Sequence, residues 1–371
     1  MIYVSCENLK PGMILAKDIW CRSSFLPLLC AGNKLSDRII QNFNEKEIRG
    51  AYIECPGSEG IEIEEIIPME VKVRVSAEIE QIFKCMQNEK GSIFTCMDTL
   101  NRVADYLVDI ITENDDCMLN IIDLKNYNEY AYVHSMQVGI LSTLIGRKMA
   151  YSSSKLKDLA ISGILHDIGK TFVPTAILDK EGPLTSDEYS IMQKHPKFGI
   201  DKLMSCGSIS GDVLEGIINH HEKVDGTGYP YHLVEDEISE FGKIIAIADV
   251  YDALTSTRTY RDAWEPHAAI NYMMSCTDSH FNVDLLSKFL TVVAAYPVGV
   301  LVKLNNGLVG VVTNTVEGLP LNPIVKVLSP GKERGTILDL ARDPKCFTIQ
   351  VVDTIKNPVE FLESLNQTMV C

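Results

Sequence analysis

Seven residues of metal-binding type recur through the middle of the chain: His134, the adjacent pair His166-Asp167, His195, the adjacent pair His220-His221, and Asp249. All offer nitrogen or oxygen, with no thiolate, a set that suits iron or manganese and admits nickel, cobalt or zinc. One ion takes about four to six ligands, so seven fit two divalent ions sharing a bridging carboxylate better. Lone histidines are more often hydrogen-bonded core or surface residues, and His232, His267 and His280 are read that way.

The elements that must position these groups are mostly helical. His166 follows the apolar run from Leu159 to Leu165, so His166 and Asp167 sit where a buried helix emerges. An unpaired carboxylate there costs several kcal/mol unless a cation meets it. Asp249 repeats the situation, embedded between the run from Ile244 to Ala248 and Val250. His220-His221 ends a helix through Val213, Leu214, Ile217 and Ile218. Adjacent helical side chains diverge by about 100°. The pair is therefore expected to serve two ions, or one ion and a bridging ligand, rather than grip one ion together.

Four further features lie nearby. Lys170 reads either as a helix-dipole partner or as a cation for an anionic substrate. The loop Asp225-Gly226-Thr227-Gly228-Tyr229-Pro230 has glycines that permit positive φ or close backbone approach, and a tyrosine ring with its hydroxyl. Arg258 and Arg261 follow Asp249 and carry forks that match phosphate oxygens. Surface ion pairs with Asp252 or Asp262 are the alternative for the two arginines.

This ordered set, with Leu-His-Asp-Ile-Gly-Lys and His-His-Glu-Lys-Val-Asp-Gly-Thr-Gly-Tyr-Pro as its clearest pieces, resembles the HD-GYP family from about Asn128 to Asp262. That family is a branch of the HD-domain metal-dependent phosphohydrolases. The resemblance implies that His134, His166, Asp167, His195, His220, His221 and Asp249 are all metal ligands, with Asp167 bridging two ions. It implies that Lys170 meets the phosphate charge and that the Arg258/Arg261 cluster contacts the phosphates of a cyclic dinucleotide. The loop bearing Gly228 and Tyr229 then borders the active site and offers a surface for GGDEF-type cyclase domains.

The implied activity is hydrolysis of 3′,5′-cyclic di-GMP to linear pGpG, with onward conversion to GMP as a further step. Two ions would acidify a bridging water and set it in line with the scissile bond. A related substrate such as cyclic GMP-AMP stays open, as do two other functions. One is a catalytically weak dinucleotide sensor or scaffold, which the intact ligand set opposes. The other is an HD phosphohydrolase of another nucleotide, which the complete Gly-Tyr-Pro loop opposes. Some family members place a carboxylate four residues before the first histidine and use it on a third ion. Here that position is Tyr130, and Glu129, five residues back, falls off the His134 face of a helix.

Composition frames the rest. At 371 residues and 41.3 kDa the chain is too long for one ordinary core. The expected fold is multidomain and mainly α. A small α+β module over 1–66 leads to a helical connector over 67–119. An all-α HD-type catalytic domain over 120–295 follows, then a small β-rich module over 296–371. A formal net charge of −16 argues against a nucleic-acid duplex as partner, while a small anionic ligand can bind where cations reverse the local sign. No apolar run reaches the ~20 residues of a membrane span, and the N-terminus lacks a signal pattern. A cytoplasmic protein is expected, and a homodimer is compatible with the resemblance. The 11 cysteines, without a Cys-x-x-Cys pair, read as reduced thiols.

Overall fold

The computed structural model describes residues 1–20, 26–46, 48–63, 65–87, 93–113, 130–205, 209–256, 263–355, 357–358 and 360–361. Arg258, Arg261, Asp262 and Glu129 lie outside the described residues, so the readings that rest on them stand on sequence alone. The described residues divide into two compact units, one from residues 74–113 and 130–292, the other from residues before 74 and after 292.

The first unit is helical. In α2 (Met69–Gln87) the residues Val75, Ile79, Ile82 and Phe83 are buried, as their helical spacing predicts. Helix α3 (Ile93–Glu113) buries Leu100, Val103 and Leu107. Its last turn is closed by Arg147 of α4 (Tyr130–Lys148), whose guanidinium donates to the carbonyls of Ile111 and Thr112. Cys85 and Cys96 pair as a cystine between α2 and α3, where composition had predicted reduced thiols.

Helix α5 (Ser153–Leu165) starts at Ser152, whose hydroxyl accepts from the Lys155 amide, and buries every residue from Leu159 to Leu165. A helix apolar on all sides is a central one, so whatever follows Leu165 emerges inside the unit. Short helices α6 (Thr175–Leu178) and α7 (Ser186–Met192) come next. Thr185 and Glu188 form a capping box on α7, as the spacing Thr-Ser-Asp-Glu predicts. Then follow α8 (His195–Met204), α9 (Gly211–Asn219), α10 (Glu240–Thr255), α11 (Pro266–Ser275) and α12 (Val283–Leu290). Ser210, Ser239 and Asn282 cap α9, α10 and α12 with their side-chain oxygens.

In the second unit β1 (Ile2–Ser5) pairs antiparallel with β2 (Gly50–Ile53), and Ser36 caps α1 (Asp37–Glu45). The strands β3 (Leu301–Leu304), β4 (Val309–Asn314), β5 (Ile324–Val327), β6 (Ile337–Asp339) and β7 (Val351–Thr354) form an antiparallel sheet in the order β6-β5-β4-β3-β7. Asn305-Asn306-Gly307 makes the turn between β3 and β4, as their composition predicts. The apolar residues from Phe347 to Val352 predict a strand, but it starts later. A 3-10 turn at Pro344–Cys346 precedes it, Phe347 is exposed, and pairing begins near Val351. Ile2, Val4, Leu15, Phe43 and Ile53 share one core with Leu301, Val311 and Leu328. The Tyr3 amide also donates to the Gly299 carbonyl at 3.0 Å. Among the described residues no helix is long and apolar enough to cross a membrane.

Candidate metal centre

Six elements deliver the seven candidate side chains to one region of the helical unit, six of them into two candidate ligand groups and Asp249 beside His134. His134 comes from α4, His166 caps the C-terminus of α5, and Asp167 opens the 3-10 turn Ile168–Phe172. His195 begins α8 beside Pro196, a residue preorganised for a first helical turn. His220 caps α9, His221 follows it, and Asp249 lies on α10. The 3-10 turn and α8 touch so closely that a Cβ on Gly169 would sit 1.8 Å from the His195 carbonyl oxygen. Only glycine lets Asp167 and His195 approach as they do.

Asp167 is where the side chains converge. Its Oδ1 lies 3.2 Å from His195 Nε2 and 3.9 Å from His220 Nε2. Its Oδ2 lies 3.4 Å from His166 Nε2 and 3.7 Å from His134 Nε2. Asp249 Oδ1 stands 3.3 Å from His134 Nε2. Candidate ligand atoms fall into two groups, His134 with His166 and Asp167, and Asp167 with His195, His220 and His221. Asp167 belongs to both. Lys170 Nζ donates to Asp167 Oδ2 at 2.5 Å.

Tautomers follow from what lies behind each ring. His166, His195 and His220 turn Nδ1 to the carbonyls of Gly163, Met192 and Ile217, at 2.8, 2.9 and 2.6 Å. A carbonyl only accepts, so each Nδ1 carries a proton, and the neutral form of each ring presents an Nε2 lone pair inward. His195 Nε2 and His220 Nε2 face each other at 3.3 Å, and with both rings neutral they meet lone pair to lone pair. His166 Nε2 and Asp167 Oδ1 are buried without a hydrogen-bond partner; the latter is close to His195 but not aligned for a bond. Buried acceptors converging on one another need a cation, so these residues fit two divalent ions.

Charge states agree with that fit. Burial alone would raise the Asp167 carboxyl, but Lys170 and His166 hold it well below the usual carboxylate range. Asp249 is likewise held down against burial by His134. Burial, with His166 and His195 nearby, pushes His220 down to about 3, and burial also lowers His221. Burial opposes charge on His134 too, but Asp249 and Asp252 outweigh it and raise its pKa to about 9. Ionised carboxylates beside neutral imidazoles are the ligand-ready state of most of this set.

The structure corrects one expectation. His220 and His221 stand in the same candidate ligand group, with ring centroids 4.0 Å apart. The divergence of about 100° applies within a helix, but α9 ends at Asn219, so His221 is already in the following turn.

The loop after His221 folds back over it. The Tyr229 ring lies 4.7 Å from the His221 ring at 30°, and its amide donates to the His221 carbonyl at 3.1 Å. Gly228 is buried, and a Cβ there would meet Glu222 Cα and the Lys223 amide nitrogen at 2.4 Å. Its close approach is thus to the chain's own backbone. Two residues hold this architecture in roles that sequence reasoning missed, Asp252 having been read only as a surface ion-pair partner. Buried Glu222 accepts from the amides of Tyr231 at 2.7 Å and Leu233 at 3.1 Å, pinning the loop. Buried Asp252 sits 2.7 Å from His134 Nδ1. Its spacing from Asp249, three residues on one helix, was the available signal.

Residues 116–285 match the HD domain family model. Cyclic di-GMP phosphodiesterase PA4108 of Pseudomonas aeruginosa is 35% identical over 244 residues, covering 65% of this chain and 59% of that protein. Cyclic di-GMP phosphodiesterase PdeB of Borreliella burgdorferi is 28% identical over 204 residues, covering 55% and 54%. 3′3′-cGAMP-specific phosphodiesterase 2 of Vibrio cholerae is 35% identical over 158 residues, covering 42% and 30%. The chain therefore spans little more than half the length of the first two relatives. In fold it is similar to Bd1817, an HDG"Y"P protein from Bdellovibrio bacteriovorus. The TM-score is 0.50 at 16% identity, over 78% of this chain and 97% of that one. Residues 116–285 are thus similar to the HD domain family, in keeping with the resemblance to its HD-GYP branch.

Proposed function

We propose that the helical unit, with a catalytic domain over about 120–295, is a two-metal phosphodiesterase that opens cyclic di-GMP to linear pGpG. The observation that carries this is Asp167, one carboxylate common to two groups of inward-facing imidazoles. His134, His166 and Asp249 would hold one ion, His195, His220 and His221 the other, with Asp167 between. Iron or manganese suits these donors. Two bound ions supply an acidified water at neutral pH and charge for the phosphoryl oxygens. Lys170, anchored on Asp167 and partly exposed, brings its ammonium to the mouth of the centre, where phosphoryl charge grows. Tyr229 covers His221 and limits water on that side. Arg258 and Arg261 are assigned to the substrate phosphates from their motif alone, and the Gly-Tyr-Pro loop to contact with GGDEF-type domains.

The relatives named for cyclic di-GMP and for 3′3′-cGAMP support the substrate class. The test is turnover by purified, manganese- or iron-loaded protein on cyclic di-GMP and 3′3′-cGAMP, with product read by chromatography. Faster opening of cyclic di-GMP is expected. Faster opening of 3′3′-cGAMP would move the substrate within the class. Cleavage of neither, with two ions bound, would leave a sensor.

A further inference from the structure

The ring of His134 is held differently from its neighbours. His166, His195 and His220 lean on backbone carbonyls of their own chain turns, three residues back. His134 leans on a carboxylate 118 residues away, Asp252 Oδ2, at 2.7 Å and buried. Asp252 is itself fixed, since the Ser256 hydroxyl donates to its Oδ1 at 3.2 Å. Asp249 and Asp252 are three apart on α10, so one helix places one carboxylate before the ring and another behind it. Asp252 meets Nδ1, on the far edge of the imidazole from Asp167 and Asp249, and cannot share their ion.

We infer that Asp252 is a positioning residue: it locks His134 with Nε2 turned into the centre and strengthens the half built from His134, His166, Asp167 and Asp249. An imidazole that donates to a carboxylate is a more basic ligand than one that donates to a neutral carbonyl. The two halves of the centre are therefore unequal. The half backed by Asp252 fills first, and the His195/His220/His221 half fills second. This inference rests on the two-ion reading above.

The test is manganese titration of metal-free wild-type and Asp252→Asn protein. Calorimetry reads the two dissociation constants, and electron spin resonance distinguishes paired ions from an isolated one. Asparagine keeps the size and an acceptor oxygen but removes the charge. In the wild type two unequal constants are expected. In Asp252→Asn the tighter constant should weaken roughly 10–100-fold while the other holds; in the wild type isolated signal should precede paired signal as manganese is added. Unchanged constants would overturn the inference, as would equal weakening of both. A wild type that binds fewer than two ions would overturn the two-ion reading itself, and the inference with it. If Asp252→Asn does not fold, nitrogen NMR of zinc-loaded wild type decides. The His134 Nδ1 proton should resonate downfield of those that His166, His195 and His220 give to carbonyls, and its absence there would sink the proposal.

Discussion

Asp167 stands between two sets of lone pairs, and its removal leaves each set one oxygen short and facing the other cation unshielded. Asp167→Ala should lose both ions on desalting and all hydrolysis, while helicity by circular dichroism persists. Retention of one tight ion in that variant would mean that the carboxylate does not bridge. Lys170 touches the same carboxylate from outside the imidazole cluster. Lys170→Ala should keep both ions and lower kcat roughly a hundredfold, the scale of losing one charge-stabilising donor. Loss of metal instead would make it a clamp on Asp167. The seven candidate ligands were legible because histidine and aspartate are conspicuous beside apolar runs. The parts played by Asp252 and Glu222 were not, since a carboxylate's partner is hidden until the fold shows what it touches. Asp252 meets a ring 118 residues away, and its spacing from Asp249 hints at a shared face without naming that partner.

Elements place these groups through a few close contacts. Gly169→Ala pushes a methyl into the His195 carbonyl and should part the 3-10 turn from α8. A cost of about 1–3 kcal/mol is expected from such overpacking, read as a lower melting temperature together with weakened metal binding. A variant with normal stability and metal content would mean that the turn can shift freely. Gly228→Ala strikes the backbone of Glu222 and Lys223 instead and should displace Tyr229 from His221, with activity falling more than stability. The helix starts at Ser36 and Thr185 were legible from their capping residues, while those at Ser152, Ser210, Ser239 and Asn282 were not singled out. The end of α9 was less legible, because whether His221 is helical depends on one residue, and that residue decides which ligands His221 joins. Strand β6 escaped notice because it is three residues long with Ile337 exposed, so the period-two pattern has no room to form.

At the scale of the whole molecule, the first residues and the last strands answer to one core rather than two. Ile2 and Leu15 are buried in the same cluster as Leu301 and Val311. Truncation before residue 293 should therefore unfold residues 1–66, seen as rapid proteolysis there; resistance would show that the N-terminal stretch folds alone. Composition could not reveal this, since apolar runs do not say which other run they meet. Metal bears on the helical unit in the same way. Ions that bind only the folded state stabilise it, by about 2.7 kcal/mol at a hundredfold excess over Kd, so a chelator should lower its melting temperature. The central claim, two ions joined through Asp167, is tested most directly by anaerobic elemental analysis of manganese-loaded protein paired with electron spin resonance. Two ions per chain with an exchange-coupled signal are predicted. One ion per chain, or two that resonate independently, would contradict it.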